Sequence, residues 1–514
     1  MPDDYRQVTL GSNPDYFATT SYVLFTLISA SLNIQNSSSI TQQNSLLNSF
    51  LSTTNLSDST ISDIDTIEIA IRVTSSTLNA WNMTISRVTN PNSLDLMSIT
   101  LDSILSIDDL MFTDSQSNLM NVRSTVMHIN NITFQNISSF TDLMRISSST
   151  NVNISQFTSM NTTTDTNEKM LITDCSNVIL DGIHTSDTTE LIIDIVDSNV
   201  TSLTNLQIHN CKQGVYIQNS NILSLSNSNF TNNGNSSQRI GGAIFISQSV
   251  ATIQNSSFTN NTAIDGGAIY FGCTSVSNCN LTLNSLTFSS NTAVSQGGAV
   301  YYDYVRPSFD RVEYTSNSAQ YGPEIASYPV KIRLVNSTEN DVNLSNVGSG
   351  IAYGQTLTFG LYDYDDQIMV LDNSDQLTIS AIDTQSSSIS GINVGLLNQG
   401  VTSFDNLRFI SAPGSTNVHY RISSKVINSD KIQNVFGQSI SDNNIYVDFR
   451  YCEPGEFITS TNQCEECSAG TYSFNWNSTQ CESCLSDAVC NGGANIEVSS
   501  EYWRRTTNST KIIQ

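Results

Sequence analysis

Basic residues are scarce in this sequence: 20 Lys and Arg stand against 46 Asp and Glu, so the formal net charge of the 514 residues is −26. A chain with so few cations does not neutralise phosphates, which excludes a basic nucleic-acid binder. Charged residues make up only 13% of the chain, and the shortage of Lys, Glu and Ala excludes a long coiled coil. With 8 Pro and 25 Gly, the chain is not a collagen.

Long apolar runs are also missing. No segment reaches the ~18–20 apolar residues that a membrane-spanning helix needs. Residues 22–28 are apolar but short, and Asp3 and Asp4 precede them where a signal peptide would carry positive charge. We interpret this segment as a cap or a first strand. We therefore expect any signal peptide or membrane anchor to have been removed or to lie outside this chain.

What is abundant is Asn, Ser and Thr, with apolar residues at regular intervals, and the most informative feature is a repeat of two short motifs. Phe-x-x-Asn is followed by Gly-Gly-Ala-Ile or Gly-Gly-Ala-Val. Copies begin at Phe230, Phe258 and Phe288, 28 and 30 residues apart, and a degraded copy begins at Tyr314. Because one such unit cannot bury its apolar face alone, repeats of this period are typical of solenoids. The sequence therefore predicts an all-β chain, mainly a right-handed parallel β-helix over residues 20–329 with ~12 coils, after an N-terminal segment, 1–19.

The residue types of the repeat have separate physical roles. Apolar side chains alternate with Ser, Thr and Asn along each strand, which places one set in a core and the other in water. The Asn tolerates a left-handed backbone, and its amide can pair with the same amide one coil away. Gly-Gly gives backbone freedom where a Cβ would clash, and Ala points inward. Apolar residues at helical spacing predict a short helix that caps the open end: Leu46, Leu47, Phe50 and Leu51.

These two motifs resemble the repeats of the polymorphic outer membrane proteins, a family of surface proteins with a pectin-lyase-like β-helix. The resemblance covers residues 227–325 well and the N-terminal half by pattern only. It implies the fold and a surface protein. It implies no particular activity, because β-helices host lyases, hydrolases, adhesins and inert stalks.

Residues 330–450 alternate in shorter segments, with turns at intervals of ~8–12 residues. This spacing predicts an antiparallel β-sandwich of Ig-like kind. Asp363, Asp365 and Asp366 lie close together in this region and form a candidate Ca²⁺ site if the fold gathers them. The alternative is a solvated acidic turn.

Six of the ten cysteines fall between Cys452 and Cys490. They predict a disulfide-rich module over residues 451–493 and a C-terminal tail, 494–514, in an extracellular protein. Two Cys-x-x-Cys pairs also fit a zinc ribbon loosely, but the even number of cysteines favours disulfides. Six cysteines allow about 15 connectivities. Because the loops are short, we expect neighbours to pair: Cys452–Cys464, Cys467–Cys481 and Cys484–Cys490.

Four cysteines lie in the predicted solenoid. Cys273 and Cys279 flank a short insert, so a disulfide that closes this loop is expected. Cys175 and Cys211 are 36 residues apart and either meet on neighbouring coils or remain buried thiols.

The C-terminal module resembles the Cys-rich repeats of tumour-necrosis-factor-receptor (growth-factor-receptor) and ephrin-receptor type. The succession of β-helix, β-sandwich and Cys-rich segment is also similar to large surface proteins of ciliates. In those proteins, further cysteines and membrane spans follow.

The sequon Asn-x-Ser/Thr occurs at 17 positions. A chain this rich in Asn, Ser and Thr makes many sequons by chance, but an extracellular chain would carry N-linked glycans at some of them. The candidate sites are Asn36, Asn55, Asn82, Asn131, Asn136, Asn153, Asn161, Asn199, Asn229, Asn235, Asn255, Asn260, Asn280, Asn336, Asn343, Asn477 and Asn508.

Candidate catalytic groups are scattered. None of the four histidines, which are His128, His184, His209 and His419, lies in a nucleophile or metal motif. Polysaccharide-cleaving sites need clustered carboxylates, and Asp174, Asp194 and Asp197 share a face only if coil stacking brings them together. The charge of −26 also repels an acidic polysaccharide.

We therefore expect no catalytic residue and no cofactor apart from Ca²⁺. The hypothesis is a non-enzymatic structural or adhesive glycoprotein, extracellular or at the cell surface, whose rigid rod associates with itself or with other surface glycoproteins. It would reach a membrane only through a segment absent from this chain. The alternative is a carbohydrate-active β-helix enzyme, a polysaccharide lyase or hydrolase, or a glycan-binding protein.

Overall fold

The computed structural model divides the chain into two compact units, Met1–Ser327 and Tyr328–Gln514, and each is described by itself. The residues that the structure describes are 7–10, 23–28, 31–35, 40–42, 45–65, 69–90, 94–164, 168–237, 240–273, 278–339, 341–436 and 443–514.

Unit 1 is a parallel β-solenoid in which each coil hydrogen-bonds to the coils before and after it. One row of strands, here row A, consists of Val23–Ile28, Ser45–Phe50, Ile71–Thr74, Asp95–Thr100, Asn118–Arg123, Met144–Ser147, Glu168–Thr173, Ile244–Ser247, Ile269–Gly272, Val300–Tyr302 and Ile325–Ser327. Two long strands, Val178–Val196 and Gln207–Gln218, run from row B into row A.

The second row, row B, contains the longer strands. Its other members are Gln7–Leu10, Ser31–Gln35, Ile40–Gln42, Thr53–Asp65, Thr77–Thr89, Ser103–Gln116, Thr125–Ser139, Val152–Thr164, Asn199–Thr204, Asn221–Ser226, Asn229–Thr231, Val250–Thr259, Asn280–Ser289 and Ser308–Thr315. A third, short row pairs Thr262–Asp265 with Thr292–Gln296. The parallel solenoid that the repeat predicts is therefore confirmed.

The bend in the middle of row B shows how many coils stack. Along this bend the backbone is left-handed in eleven successive coils, at Asp58, Asn82, Asp109, Asn131, Gln156, Gly182, Asn205, Asn227, Asn255, Ser285 and Arg311. Asn, Asp and Gly accept positive φ more easily than other residues. The abundance of short polar residues thus has a backbone cause as well as a solvation cause.

Inside the solenoid, equivalent apolar residues stack from coil to coil. The rings of Phe230, Phe258, Phe288 and Tyr314 stack at centroid distances of 5.1, 4.9 and 5.6 Å. The Ala of each Gly-Gly-Ala motif is fully buried, at Ala243, Ala268 and Ala299, as predicted.

The predicted helix over residues 46–51 is wrong. Ser45–Phe50 is a strand of row A, because the neighbouring coil supplies its hydrogen-bond partners: the amides of Leu46 and Leu47 both donate to the carbonyl of Ala70. Phe50 and Leu51 are exposed and do not complete an apolar helical face. Gln7–Leu10, in the segment predicted to precede the solenoid, pairs with Ser31–Gln35 and extends row B.

The first part of unit 2 is a sandwich of two sheets that share one core. Lys331–Leu334, Leu357–Tyr362 and Val401–Phe404 form an antiparallel sheet. The second sheet has the order Val342–Val347, Asn443–Phe449, Val418–Ser424, Gln376–Ala381, Val394–Leu396. Apolar residues of both sheets pack together, among them Phe359, Phe404, Leu377, Ile379 and Val447.

The predicted antiparallel pairing of this region is confirmed with one exception. Val342–Val347 and Asn443–Phe449 run parallel, which short hairpin spacing does not predict. Ser388–Ser390 pairs with Arg408–Ile410 in a small extra sheet. One helix, Ser429–Phe436, precedes the last strand of the sandwich.

The C-terminal part of unit 2 is a chain of short hairpins. They pair Glu456–Ile458 with Cys464–Glu466, Thr471–Tyr472 with Glu482–Ser483, Ala488–Gly492 with Asn495–Val498, and Trp503–Arg504 with Ile512–Ile513. The third hairpin crosses residue 493, the predicted end of the Cys-rich module.

Candidate functional site

The Phe-x-x-Asn motif builds a continuous ladder of buried amides. The Nδ2 atoms of Asn233, Asn261 and Asn291 donate to the Oδ1 of the next Asn at 3.0, 2.9 and 3.0 Å, and Asn317 receives the last bond. Each of these amides also donates to a main-chain carbonyl of the preceding coil. The amide pairing that the sequence predicts is present. The left-handed residue, however, stands one position earlier, at Asn232, Asn260, Ser290 and Ser316.

The Gly-Gly pair is required by close backbone approach. The first glycine has positive φ, 65° at Gly266 and 68° at Gly297. The second lies so close to the next coil that a Cβ on Gly267 would come within 2.2 Å of the carbonyl oxygen of Gly298. The motif residues therefore hold the coils together.

A second ladder, of serines, follows the corner between rows A and B. The hydroxyls of Ser76, Ser103, Ser149, Ser198, Ser220 and Ser249 each accept a hydrogen bond from a main-chain amide one coil before. Cys175 replaces a serine in this ladder, and its Sγ contacts the carbonyl oxygen of Thr173 at 3.2 Å. Burial raises the pKa of the Cys175 thiol.

Cys211 occupies the Asn-ladder position one coil before Asn233, whose Oδ1 accepts the amide of Cys211. Cys175 and Cys211 are both buried and neither forms a disulfide, so of the two arrangements left open by the sequence, the structure has the separate thiols. Cys175 takes the place of a serine in the serine ladder, and Cys211 takes the place of an asparagine in the amide ladder.

The remaining cysteines are joined to their neighbours. The structure contains Cys273–Cys279, Cys452–Cys464, Cys467–Cys481 and Cys484–Cys490. Among the described residues, the one cluster of three possible metal-ligand groups is Cys452, Glu456 and Cys464. Its two sulfurs are bonded to each other, and Glu456 accepts hydrogen bonds from Arg450.

Sequence reasoning missed a buried ion pair inside the solenoid. Lys169 is 1% exposed, and its Nζ lies 3.3 Å from a carboxylate oxygen of Glu190. Nζ also donates to the carbonyl oxygen and the hydroxyl of Thr162. Burial lowers the pKa of the Lys169 ammonium, and the nearby Glu190 carboxylate opposes that shift.

A signal for this pair was present in the sequence. The inward column that carries Ala in the Gly-Gly-Ala motifs carries Leu119, Leu143 and then Lys169 in earlier coils. Aligning these coils by their Leu-Met, Leu-Met and Lys-Met pairs would have placed the lysine inside.

The three candidate Ca²⁺ ligands do not converge on one point among the residues that the structure describes. The Asp363 carboxylate is fully buried and accepts the amides of Asp365 and Gln367. Asp366 forms ion pairs with Lys331 at 2.5 Å and with Arg333 at 2.9 Å. Asp363 is thus bonded within the turn, and Asp366 is paired with two basic side chains of the strand Lys331–Leu334.

The Asp366 pairs predict an acid-dependent loss of stability in the sandwich. The hydrogen bond from Lys331 lowers the pKa of the Asp366 carboxyl below its usual value of 3.8. A depressed folded-state pKa contributes stability above the unfolded pKa, and that stability is lost as pH falls through the folded value. Asp366→Asn should therefore weaken unit 2 at pH 7 and flatten its stability profile below about pH 4. Urea unfolding at pH values between 2 and 7 measures the free energy of unfolding, with Glu339→Gln as the exposed control. If this free energy falls with pH equally steeply in the wild type and in Asp366→Asn, the prediction is wrong.

The structure places the candidate catalytic groups apart. Asp174 and Asp197 stack at one corner on successive coils, whereas Asp194 is 9% exposed and lies beside Leu171 in row A. His184 and His209 line a shallow depression of about 370 Å³, together with Thr158, Met160, Ser186 and Gln207. His128 and His419 are exposed elsewhere.

An aromatic column follows Asp194 along row A. The rings of Tyr216, Phe245, Tyr270 and Tyr301 lie 4.4, 5.4 and 5.1 Å apart. Phe245 and Tyr301 are buried, so these two rings are not available as a platform on which a sugar could stack. The Tyr270 hydroxyl donates to a carboxylate oxygen of Asp303.

The outward bends of row B carry amide–carboxylate ladders instead of a cleft. Asn82, Asn130, Asn131 and Asn136 donate to the carboxylates of Asp58, Asp108, Asp109 and Asp114, each one coil earlier. Arg87 donates two hydrogen bonds to Asp63 and lowers the pKa of that carboxyl to about 2. Side chains of the next coil therefore hydrogen-bond to the carboxylates of each ladder.

Most of the candidate glycosylation sites are exposed. The exposed ones are Asn82, Asn136, Asn161, Asn199, Asn229, Asn235, Asn255, Asn260, Asn280, Asn336, Asn343 and Asn508, and the half-buried ones are Asn55, Asn131, Asn153 and Asn477. Asn36 lies outside the described residues.

Asn55 and Asn255 are expected to differ in glycan occupancy. Asn55 is half buried, its Nδ2 donates to Asn33 at 2.5 Å, and its Oδ1 accepts from Asn79 at 2.7 Å. A glycan on that Nδ2 would interrupt the ladder, whereas Asn255 is exposed at a bend. Glycopeptide mass spectrometry of the native protein should show lower occupancy at Asn55, and equal occupancy would contradict this.

The repeat motifs match a known family of repeats. Two segments, 255–272 and 285–303, match the Chlamydia polymorphic membrane protein repeat, and they contain the two middle residues of the amide ladder, Asn261 and Asn291, and two of the Gly-Gly pairs. A solved structure of the A-module of mannuronan C-5 epimerase AlgE4 from Azotobacter vinelandii is 12% identical, with 63% of this chain and 91% of that chain covered, at a TM-score of 0.24. No curated protein matches this chain.

The fold and the matched repeats together define a β-solenoid protein with polymorphic-membrane-protein-type repeats, followed by a sandwich and a disulfide-bonded module. Among the described residues, none of the helices has the length and hydropathy needed to cross a membrane.

Proposed function

We propose that this chain is a non-enzymatic surface or extracellular structural glycoprotein, whose solenoid is a rigid rod that associates with itself or with other surface glycoproteins. The observation that carries the proposal is that the repeat's own residues form contacts between coils. Asn261, Gly267 and their equivalents are consumed in coil-to-coil contacts, so the repeat supports length and rigidity. The name of the matched repeat family supports a membrane-surface setting.

The outer surface supports the same proposal. Twelve of the candidate glycosylation sites are exposed, and four disulfides suit an oxidising compartment. Columns of Asn, Ser and Thr offer neutral hydrogen-bonding surfaces that neither attract nor repel a neighbouring acidic chain.

A glycan panel separates this proposal from a carbohydrate-active enzyme. We expect the secreted, full-length chain to release no product from neutral or acidic polysaccharides. Turnover that disappears in Asp194→Asn, with folding retained, would overturn the non-enzymatic proposal. Surface biotinylation of intact source cells provides the second arm: labelling is expected, and exclusive recovery from the cytosol would contradict the proposal.

A further inference from the structure

One corner of the solenoid exposes apolar side chains over four coils. This corner patch consists of Phe50, Leu51, Leu101, Ile104 and Val126, which are 46, 56, 58, 50 and 42% exposed, with Arg72, Arg123 and Asp102 beside them. Ile104 pairs directly with Val126 on the next coil. Leu101, Ile104 and Val126 lie on neighbouring coils, whereas Phe50 and Leu51 lie two coils before Leu101, with Ser75 at the same corner of the coil between them. Exposed apolar side chains grouped in this way mark interaction sites.

The backbone of the patch is strained at the same place. Leu51 and Leu101 have positive φ, 49° and 58°, and a bulky side chain in this region is uncommon. The same corner in other coils carries Ser75, Ser124, Ser148, Asp174, Asp197, Asn219 and Gln248. Small or polar residues therefore satisfy the fold, and the two leucines need another explanation.

The patch also carries charged side chains of both signs. Arg72 and Arg123 are exposed, and no described residue forms an ion pair with either of them. Asp102, on the coil between them, is exposed as well. Asn48, Asn121 and Asn151, beside the patch, belong to no sequon, whereas Asn153, which pairs with His128 two residues after Val126, does. The coil of Leu101 itself carries no sequon.

We propose that the corner patch is a two-fold interface for a second copy of this chain; this rests on the self-association in the proposed function. An antiparallel pairing centred on the coil of Leu101 places Leu101 and Ile104 of each copy against those of the other. Because coils are ~4.8 Å apart, the Arg123 side chain of one copy can reach Asp102 of its partner. A two-fold axis then repeats that ion pair.

The choice of a second copy follows from the two signs of charge in one patch. A copy turned by a two-fold axis presents a carboxylate to Arg123 and an arginine to Asp102 in the same contact. It also meets neutral apolar surface, in a chain whose net charge of −26 would otherwise repel it. Apolar side chains with neighbouring Arg are typical of protein–protein interfaces.

The apolar contribution is tested with substitutions that the fold already uses. Leu101→Asn and Ile104→Thr install the residue types found at equivalent positions in Asn219 and Thr77. Sedimentation equilibrium of the secreted, glycosylated chain should show a dissociation constant raised at least tenfold in the double variant. Leu223→Thr, an exposed leucine outside the patch whose equivalent one coil earlier is Thr201, is the matched control and should associate like wild type.

The charge pair is tested by a swap. Arg123→Asp alone and Asp102→Arg alone should each weaken association, and the combined variant should restore it, which only a contact between these two positions of different copies explains. Association unchanged in all variants would overturn the interface and leave the proposed function standing. A wild-type chain that stays monomeric at every concentration would also overturn the interface, and imaging of native material then decides the proposed function separately.

Discussion

Asn291→Ala should destabilise the solenoid by about 3–5 kcal/mol, because several buried polar groups lose their partners at once. The Asn291 side chain donates to the carbonyl of Phe258 at 3.0 Å and to Asn317 at 3.0 Å, and its Oδ1 accepts both the main-chain amide and the Nδ2 of Asn261. Alanine leaves these groups buried and unsatisfied. Urea unfolding with hydrogen exchange of solenoid peptides measures the loss.

The adjacent residue provides the control for the ladder. Ser290 is exposed with φ of 56°, so Ser290→Gly should change stability by less than about 0.5 kcal/mol. A loss below about 1 kcal/mol in Asn291→Ala would show that water or backbone movement replaces the amide, and the ladder would not be the element that holds the coils together.

Lys169→Met should cost about 3–5 kcal/mol, because it leaves the Glu190 carboxylate buried without its ammonium partner. Adding Glu190→Gln should recover most of that loss, since the amide keeps an oxygen acceptor for the main-chain amide of Thr164 and removes the buried charge. The pair would then be a substitute for apolar packing, in the inward column that holds Leu143 in the preceding coil.

A double-mutant cycle measures this coupling. Its control is Lys212→Met at an exposed lysine of the same solenoid, which should stay within about 0.5 kcal/mol of wild type. Additive losses in the Lys169 and Glu190 variants would contradict the buried-pair account.

The structural features that the sequence predicts correctly are those whose motif recurs along the chain. The Phe-x-x-Asn and Gly-Gly-Ala motifs recur at nearly constant spacing, so the solenoid, the stacked amides and the inward Ala could all be predicted. The position of the left-handed residue could not, because both Asn260 and Asn261 suit positive φ, and only the stacking with Asn291 decides that the second one is buried.

The errors come from partners that are distant in sequence. Leu46, Leu47, Phe50 and Leu51 fit a helix locally, but the amides of Leu46 and Leu47 bond to the next coil, 24 and 23 residues away. The parallel pair of Val342–Val347 with Asn443–Phe449 spans about a hundred residues, which turn spacing cannot indicate. The acidic run at 363–366 shows the same limit, since Lys331 and Arg333, its partners, lie more than thirty residues before it.

The scarcity of charge in the sequence is related to the stacking of the coils. At the bends of row B, outward carboxylates are hydrogen-bonded by the next coil: Asn82 donates to Asp58, and Arg87 donates to Asp63. Like charges stacked at the ~4.8 Å coil spacing would repel in columns. The neutral Asn, Ser and Thr content therefore limits this repulsion, with Asp174 and Asp197 as an exception at one corner. The exposed Arg123 and Leu101 also depart from the pattern of small polar residues.

Electron micrographs of the native material from its source test the central claim most directly. The account predicts narrow rods that are joined laterally, in filaments or in a regular coat at the cell surface. Antibodies raised against this chain should label the rods along their length. Isolated, unassociated particles at native concentration, with no label at the surface, would contradict it.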